Sequence, residues 1–292
     1  MFTLFRNDFL LSIFLLVLNP IFWHSASAQM PTVNTTQHSA PQRIISLAPH
    51  ITEMVFSAGA GDRLVGVVAY SDYPKAALDI AIIGGYQAVN IEKIIQLNPD
   101  LILAWKTGNR SADIEKLEKL GFTIGYSNPR KLTDISKEIR HYGQLFETQS
   151  QANRVASQLE QILQSLKRKQ SQLKPVKAYY QIWNHPLMTI NGEQFISQAI
   201  NLCGAQNIFA NLPMLVPEVS IESVMKADPE VILLGGLKKM QQGWLKDWQK
   251  WGMISAVKNA HIYPLQADTF QRPTARLING IDDLCEIIDQ AR

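Results

Sequence analysis

Long apolar runs are missing from almost the whole of this 292-residue chain; after residue 28 no stretch is long enough to span a bilayer. Charge of one sign is also scarce. The net charge is +3, and no basic stripe with interleaved aromatics occurs, which argues against nucleic acid as a partner. No GxGxxG opens a helix, so Gly84-Gly85 and Gly235-Gly236 are not a phosphate-binding fingerprint. No nucleophile stands beside a base, no paired carboxylates stand out, and no His/Asp/Glu set has metal-ligand spacing, which weighs against an enzyme. Cysteine is reduced to Cys203 and Cys285, too few for a CxxC…CxxC zinc site. In an exported chain an even count favours a structural disulfide over two buried free thiols.

Export is indicated by the first residues. Arg6 supplies a weak positive start and Phe9–Leu18 an apolar core, interrupted by Asn19-Pro20. Ala26-Ser27-Ala28 fits the small-x-small cleavage pattern, so residues 1–28 read as a signal peptide removed near Ala28. The other reading, an uncleaved anchor, needs a longer uninterrupted span. Residues 29–41, rich in Thr, Gln, Ser and Pro, read as a disordered leader. About 250 residues remain, enough for two lobes each with its own core.

One stretch occurs twice. Val89–Leu103 (VNIEKIIQLNPDLIL) and Val219–Leu233 (VSIESVMKADPEVIL) align at a constant offset of 130 positions. Asn90 or Ser220 is an N-cap, a short apolar-faced helix follows, and Pro99 or Pro229 cannot continue it. The apolar runs Leu101–Trp105 and Val231–Leu234 then read as buried strands. Units repeated this far apart predict two lobes of similar build.

The rest of the chain alternates strand and helix around these anchors. Strands are predicted at Arg43–Leu47, Leu64–Val68, Ile80–Ile83, Phe122–Tyr126, Val176–Trp183 and Ile262–Leu265. Helices are predicted after Pro49 up to Gly59, and at Ser111–Leu120, Lys131–Leu145, Phe195–Leu202, Gln241–Lys250 and about Thr274–Ile288. Glu147–Leu173 has no Pro or Gly and carries Val155, Leu159, Ile162, Leu163 and Leu166 at helical spacing, one long helix. The fold class is therefore α/β: two Rossmann-like lobes with central, mainly parallel sheets, over 42–146 and 175–292, joined by one rigid α-helix over 147–174.

In open α/β sheets ligands bind beyond the carboxyl ends of the strands. Those ends carry Pro49 and His50; Tyr70, Asp72 and Tyr73; Trp105 and Asn109; Trp183, Asn184 and His185; and Asp268, Phe270, Gln271 and Arg272, with Tyr86 just before the first repeat. Aromatics with a few polar groups suit a large, flat, partly apolar ligand, although for any single ring half-buried packing is an equal reading.

Arg43-Ile44-Ile45-Ser46-Leu47-Ala48-Pro49-x-x-Thr52-Glu53 resembles the opening of the class III periplasmic substrate-binding proteins of ABC importers. Tyr70-Ser71-Asp72-Tyr73-Pro74, Asn98-Pro99-Asp100-Leu101-x-x-Ala104-Trp105, Cys203-Gly204-x-x-Asn207-Ile208-Phe209 and Asp268-x-Phe270-x-Arg272 look like the cobalamin-binding branch of that family. The resemblance covers essentially everything after Gln42. It implies capture of cobalamin (vitamin B12) or a related corrinoid between the lobes, without transforming it and with no catalytic cofactor. It further implies a monomer that delivers the ligand to the membrane permease. Tyr73, Tyr86, Trp105, Asp268, Phe270, Gln271 and Arg272 would line the cleft, Cys203 and Cys285 would form the family's disulfide, and Glu92 and Glu222 would dock onto the permease. The other reading of each glutamate is a first-turn charge complementing the helix dipole.

Three departures bear on the ligand: Tyr86 and Val216 stand where tryptophans are expected in that branch, and Gln271 replaces a glutamate. Haem or a ferric siderophore is the alternative within the family, and an exported corrinoid-modifying enzyme the alternative outside it. No metal is built into the site, but His50 or His185, if facing the cleft, can ligate cobalt or iron; the competing reading is an exposed loop histidine.

Overall fold

The computed structural model describes residues 39–85, 88–170 and 172–292. The signal peptide and all but the end of the leader lie outside the described residues, as does Tyr86. At the start of the described residues Ala40 is buried and the Pro41 carbonyl accepts a hydrogen bond from Arg63. Residues 39–292 form one compact unit.

The first sheet is built from β1 (Ile44–Ser46), β2 (Leu64–Val67), β3 (Leu101–Trp105) and β4 (Ile124–Ser127), all parallel, in the order β2-β1-β3-β4. Its crossovers are α1 (Pro49–Ala58), α2 (Ile91–Leu97) and α3 (Ser111–Lys119), and α4 (Leu132–Leu145) leads out. Next comes α5 (Gln149–Gln170), whose 22 residues span roughly 33 Å. The second sheet holds β5 (Val176–Gln181), β6 (Ala205–Asn207), β7 (Val231–Leu234) and β8 (Ile262–Pro264), again all parallel, in the order β6-β5-β7-β8. Around it stand α6 (Phe195–Leu202), α7 (Ile221–Ala227), α8 (Lys238–Trp248), α9 (Ser255–Lys258), α10 (Ala267–Phe270), α11 (Ala275–Asn279) and α12 (Ile281–Asp289). Both sheets thus carry one permutation, second-first-third-fourth.

The repeated stretch explains that equivalence locally. Asn90 Oδ1 accepts from the Lys93 N–H and Ser220 Oγ from the Ser223 N–H, capping α2 and α7. Each helix stops at a left-handed residue, Asn98 (φ 44°) or Asp228 (φ 48°), directly before the proline. The acidic residue after each proline then bonds the backbone N–H that starts the first strand of its lobe: Asp100 to Arg43 and Glu230 to Lys177.

Expectation and structure differ in places. Ile80–Ile83 is not a strand; its pairing with β2 is limited to Val67, which Ile82 meets in one isolated bridge, and Ile82 is more than half exposed while Ile83 is buried. The single helix expected near 274–288 is two, α11 and α12, meeting at Gly280. The long helix is shorter than expected, since Glu147 adopts φ 56° and the Thr148 N–H turns back to the Gly143 carbonyl. A Cβ on Gly143 would lie 2.3 Å from Ala152 Cβ, so glycine lets α4 and α5 approach this closely.

One continuous core passes from β1 and α1 through α4 and α5 to β5, α6 and α12. The lobes therefore share packing with the helix that joins them; they are not beads on a rod. Separate apolar clusters cover the outer face of each sheet. Cys203 and Cys285 are disulfide-bonded and fasten the end of α6 to α12.

Candidate functional site

A chain of buried hydroxyls builds one wall of the cleft. Thr52 on α1 donates to Ser46 Oγ at 2.9 Å and lies 3.2 Å from Ser71 Oγ, while Ser46 Oγ bonds the Ala48 carbonyl. These contacts pin the loop after β2 against the start of α1, and that loop presents Asp72 and Tyr73. Asn109 does the same for the neighbouring loop: its amide donates to the Leu47 carbonyl and its oxygen accepts from the Trp105 N–H. Trp105 at the end of β3 thereby stands at the mouth of the sheet, 38% exposed, and Tyr73 is 45% exposed.

The second lobe fixes its strand ends with buried amides. Gln241 donates to the carbonyls of Leu234 and Leu265, and Trp248 Nε1 donates to Gln181, which in turn donates to Asn184. Trp183 is held edge-on to Trp244 and remains 45% exposed. A cavity of about 740 Å³ lies between the lobes, with Trp105, Asn128 and Arg130 on one side and Phe195, Pro213 and Leu215 on the other. A larger cavity of about 900 Å³ lies along α5, lined by Leu132, Leu163 and Leu202 together with amides and lysines, and by no aromatic ring among the described residues. The aromatic rings, Trp105 and Phe195, belong to the former.

Charges close one end of the cleft. Glu53 on α1 is 3% exposed and receives Arg272 Nη1 at 3.1 Å, Arg276 Nε at 2.9 Å and Arg276 Nη2 at 2.5 Å. Arg272 also reaches Asp72 across the cleft and Asp268 within its own lobe, each at 2.7 Å. Burial works against the charge on Arg272, but its bonds to Asp72 and Glu53 outweigh this and hold its pKa above the ordinary value. The Arg276 guanidinium lies over the Tyr73 ring, 4.1 Å from its centre. The cluster therefore ties α1 and the Asp72 loop of one lobe to the segment 268–276 of the other.

The remaining predicted residues are distributed as follows. Gln271 donates to the Gly235 carbonyl and lies 3.5 Å from the Tyr180 hydroxyl. Phe270 does not face the cleft; it is 6% exposed and belongs to the shared core, because the turn of α10 points it inward. His50 is no exposed loop histidine. It lies in the first turn of α1, 4% exposed, with its ring edge-on to Trp105 at 5.2 Å and its Nε2 without a partner. Burial, helped by the Arg272 charge, drives its pKa down to about 3. His185 Nε2 pairs with Asn184, beside Ile221 and Trp251. Glu92 and Glu222 are exposed in the first turns of α2 and α7. The Glu222 carboxyl is held below its usual range by its own backbone N–H and by Ser220. Sequence reasoning quoted Glu53 within a motif without giving it a role, and missed Arg276 altogether.

Comparison with known proteins places this geometry. Residues 44–269 match the family model described as periplasmic binding protein. A vitamin B12-binding protein of Vibrio parahaemolyticus is 35% identical over 258 residues, which covers 88% of this chain and 93% of that protein. One from Vibrio campbellii is 37% identical over 251 residues, covering 86% and 90%. Among solved structures, the periplasmic vitamin B12 binding protein BtuF of Vibrio cholerae has a TM-score of 0.77 at 36% identity, covering 86% of this chain and 98% of that one. The periplasmic heme-binding protein RhuT from Roseiflexus sp. RS-1 has a TM-score of 0.75 at 22% identity, covering 86% and 99%, a likeness of fold alone.

Proposed function

The chain belongs to the periplasmic binding protein family, and on that premise we propose that it captures cobalamin or a closely related corrinoid between its lobes and delivers it to an ABC permease. The observation that carries this reading is the near full-length likeness, in both directions, to proteins named for vitamin B12 binding. The geometry agrees with it. A corrin is broad, partly apolar and fringed with amides, and the inter-lobe cavity has Trp105 on its wall, with Tyr73 and Trp183 also partly exposed near strand ends. Tyr73, Tyr86, Trp105, Asp268, Gln271 and Arg272 are the ligand-binding residues in this reading. The ligand leaves chemically unchanged.

His50 is enclosed beneath Trp105 and His185 is engaged with Asn184, so neither is assigned as an axial metal ligand. Glu92 and Glu222 occupy equivalent, exposed, first-turn positions in the two lobes, and a pseudo-symmetric acidic pair suits a permease with two-fold symmetry. The lobes in this scheme are 42–146 and 175–292, with 147–174 between them. Export with cleavage near Ala28 completes the proposal.

The experiment is calorimetric titration of the mature protein with cyanocobalamin, with haem and a ferric siderophore as controls. One-to-one binding of cyanocobalamin alone supports the reading. Binding of haem with silence toward cyanocobalamin refutes it. For docking, charge reversal of Glu92 and Glu222 together abolishes ligand-stimulated ATP hydrolysis by the reconstituted permease while leaving ligand affinity intact. An unchanged stimulation removes both residues from the interface.

A further inference from the structure

The ionic cluster at the end of the cleft has three carboxylates, Glu53, Asp72 and Asp268, against two guanidiniums, Arg272 and Arg276. An arginine in a ligand cleft ordinarily invites an anion. Here that invitation is withdrawn. Arg272 is only 12% exposed and already meets all three carboxylates; Arg276 grips Glu53 with two nitrogens and stacks on Tyr73. Lys238 shares a neighbouring cavity with Asp268 and Arg276, while Arg130 and Lys131 lie in the Trp105 cavity with Glu193, away from this cluster. The charged side chains that show most at this end are carboxylates: Asp72 is 43% and Asp268 58% exposed, against 12% for Arg272 and 21% for Arg276, whereas Glu53 is hidden.

On the corrinoid reading, which this inference rests on, we propose that Glu53 is a specificity-positioning residue. It cancels and orients the two arginines, so that Asp72 and Asp268 are offered as hydrogen-bond acceptors. The cleft then selects ligands fringed with neutral amides and rejects those fringed with carboxylates. A propionamide N–H can donate to Asp72 or Asp268. A carboxylate in the same place has no proton to donate and faces like charge in a partly desolvated site, where screening is weak. The same rule disfavours haem propionates and the anionic groups of ferric siderophores.

The test uses cyanocobalamin and its monocarboxylates, in each of which one peripheral propionamide has been hydrolysed, titrated into wild type, Glu53→Gln and Asp72→Asn at pH 7 and low ionic strength. Wild type is expected to bind at least one monocarboxylate tenfold or more weakly than cyanocobalamin. In Asp72→Asn that ratio falls to threefold or less. In Glu53→Gln it falls as well, and Glu53→Asp restores it, which a merely structural role for the carboxylate does not predict. Equal affinity of wild type for all the corrinoids, or a ratio unchanged in Asp72→Asn, overturns the inference and leaves the corrinoid reading standing. Failure of wild type to bind cyanocobalamin overturns that reading itself. Asp72 is half exposed, so its variant decides the matter even where Glu53→Gln does not fold.

Discussion

Trp105→Ala is the substitution whose effect on ligand capture is best bounded by the structure. A tryptophan presents up to ~250 Å², so an exposure of 38% leaves about 95 Å² of its surface to be covered by a ligand. At ~25 cal/mol per Å² that is about 2.4 kcal/mol, or about 2 kcal/mol after allowing for the methyl group that remains. The costs of association are common to both proteins and largely cancel in the difference. Cyanocobalamin should therefore bind about 30-fold more weakly to the variant. A second perturbation separates loss of the ring from loss of its placement. The Trp105 ring rests on Gly108, where an added Cβ would lie 1.9 Å from the ring carbon Cε3, so Gly108→Ala must displace the ring without deleting it. Titration calorimetry of the two variants beside Trp105→Phe should give a graded series: alanine weakest, Gly108→Ala intermediate, phenylalanine nearest to wild type. A loss below threefold for Trp105→Ala would refute the assignment of this ring to the ligand wall.

Other expectations follow from burial, covalent linkage and the shared core. His50 is neutral when folded, with a pKa of about 3, but protonates near 6.5 when unfolded, so the unfolded state binds the extra proton between those values and stability falls as pH drops below 6.5. Denaturant titrations of wild type and His50→Gln from pH 7 to 4 should diverge by up to about 1.4 kcal/mol per pH unit; parallel losses would contradict the buried neutral imidazole. Replacing Cys203 and Cys285 by serine opens a loop with a sequence separation of 82, and loop entropy sets the cost at about 4.5 kcal/mol. A lower denaturation midpoint with cyanocobalamin affinity retained is expected, and an unchanged midpoint would sink the estimate. Because the core is continuous through α4 and α5 into both lobes, small-angle scattering should show almost no compaction on ligand addition; a clear fall in radius of gyration would mean the shared core yields.

The parts of the fold that could be read from the chain are those decided by neighbouring residues. Asn90 and Ser220 cap their helices because a side-chain oxygen three residues upstream meets an orphan N–H, and that relation is written in the sequence. The repeat at an offset of 130 then gives two lobes of one topology. Elements decided at a distance were lost. β6 is three residues, Ala205–Asn207, with a polar centre, and it is a strand only because β5 lies alongside. Gly280 ends α11 and starts α12 while keeping φ at −85°, so apolar periodicity runs through the break unmarked. Gly280 also faces Thr269, where an added Cβ would sit 3.1 Å from Cγ2, a packing reason invisible along the chain.

The candidate site divides in the same way. Tyr73, Trp105 and Arg272 were reached through family-like motifs; in the structure Tyr73 and Trp105 are partly exposed, and Arg272 bridges the lobes through Glu53 and Asp72. Phe270 came from the same motif and is core, since a motif does not say which way a short helix turns. Glu53 was quoted as part of a motif and given no role, because its partners Arg272 and Arg276 are 219 and 223 residues away. A signal was nevertheless present. Pro49–Ala58 contains no charged residue except Glu53, and every neighbour from His50 to Val55 is buried. A lone carboxylate in such a helix cannot be left unpaired without a cost of several kcal/mol. It therefore demanded a cation from elsewhere in the chain. The ion pair itself was legible as a debt, and only the identity of the arginines that settle it needed three dimensions.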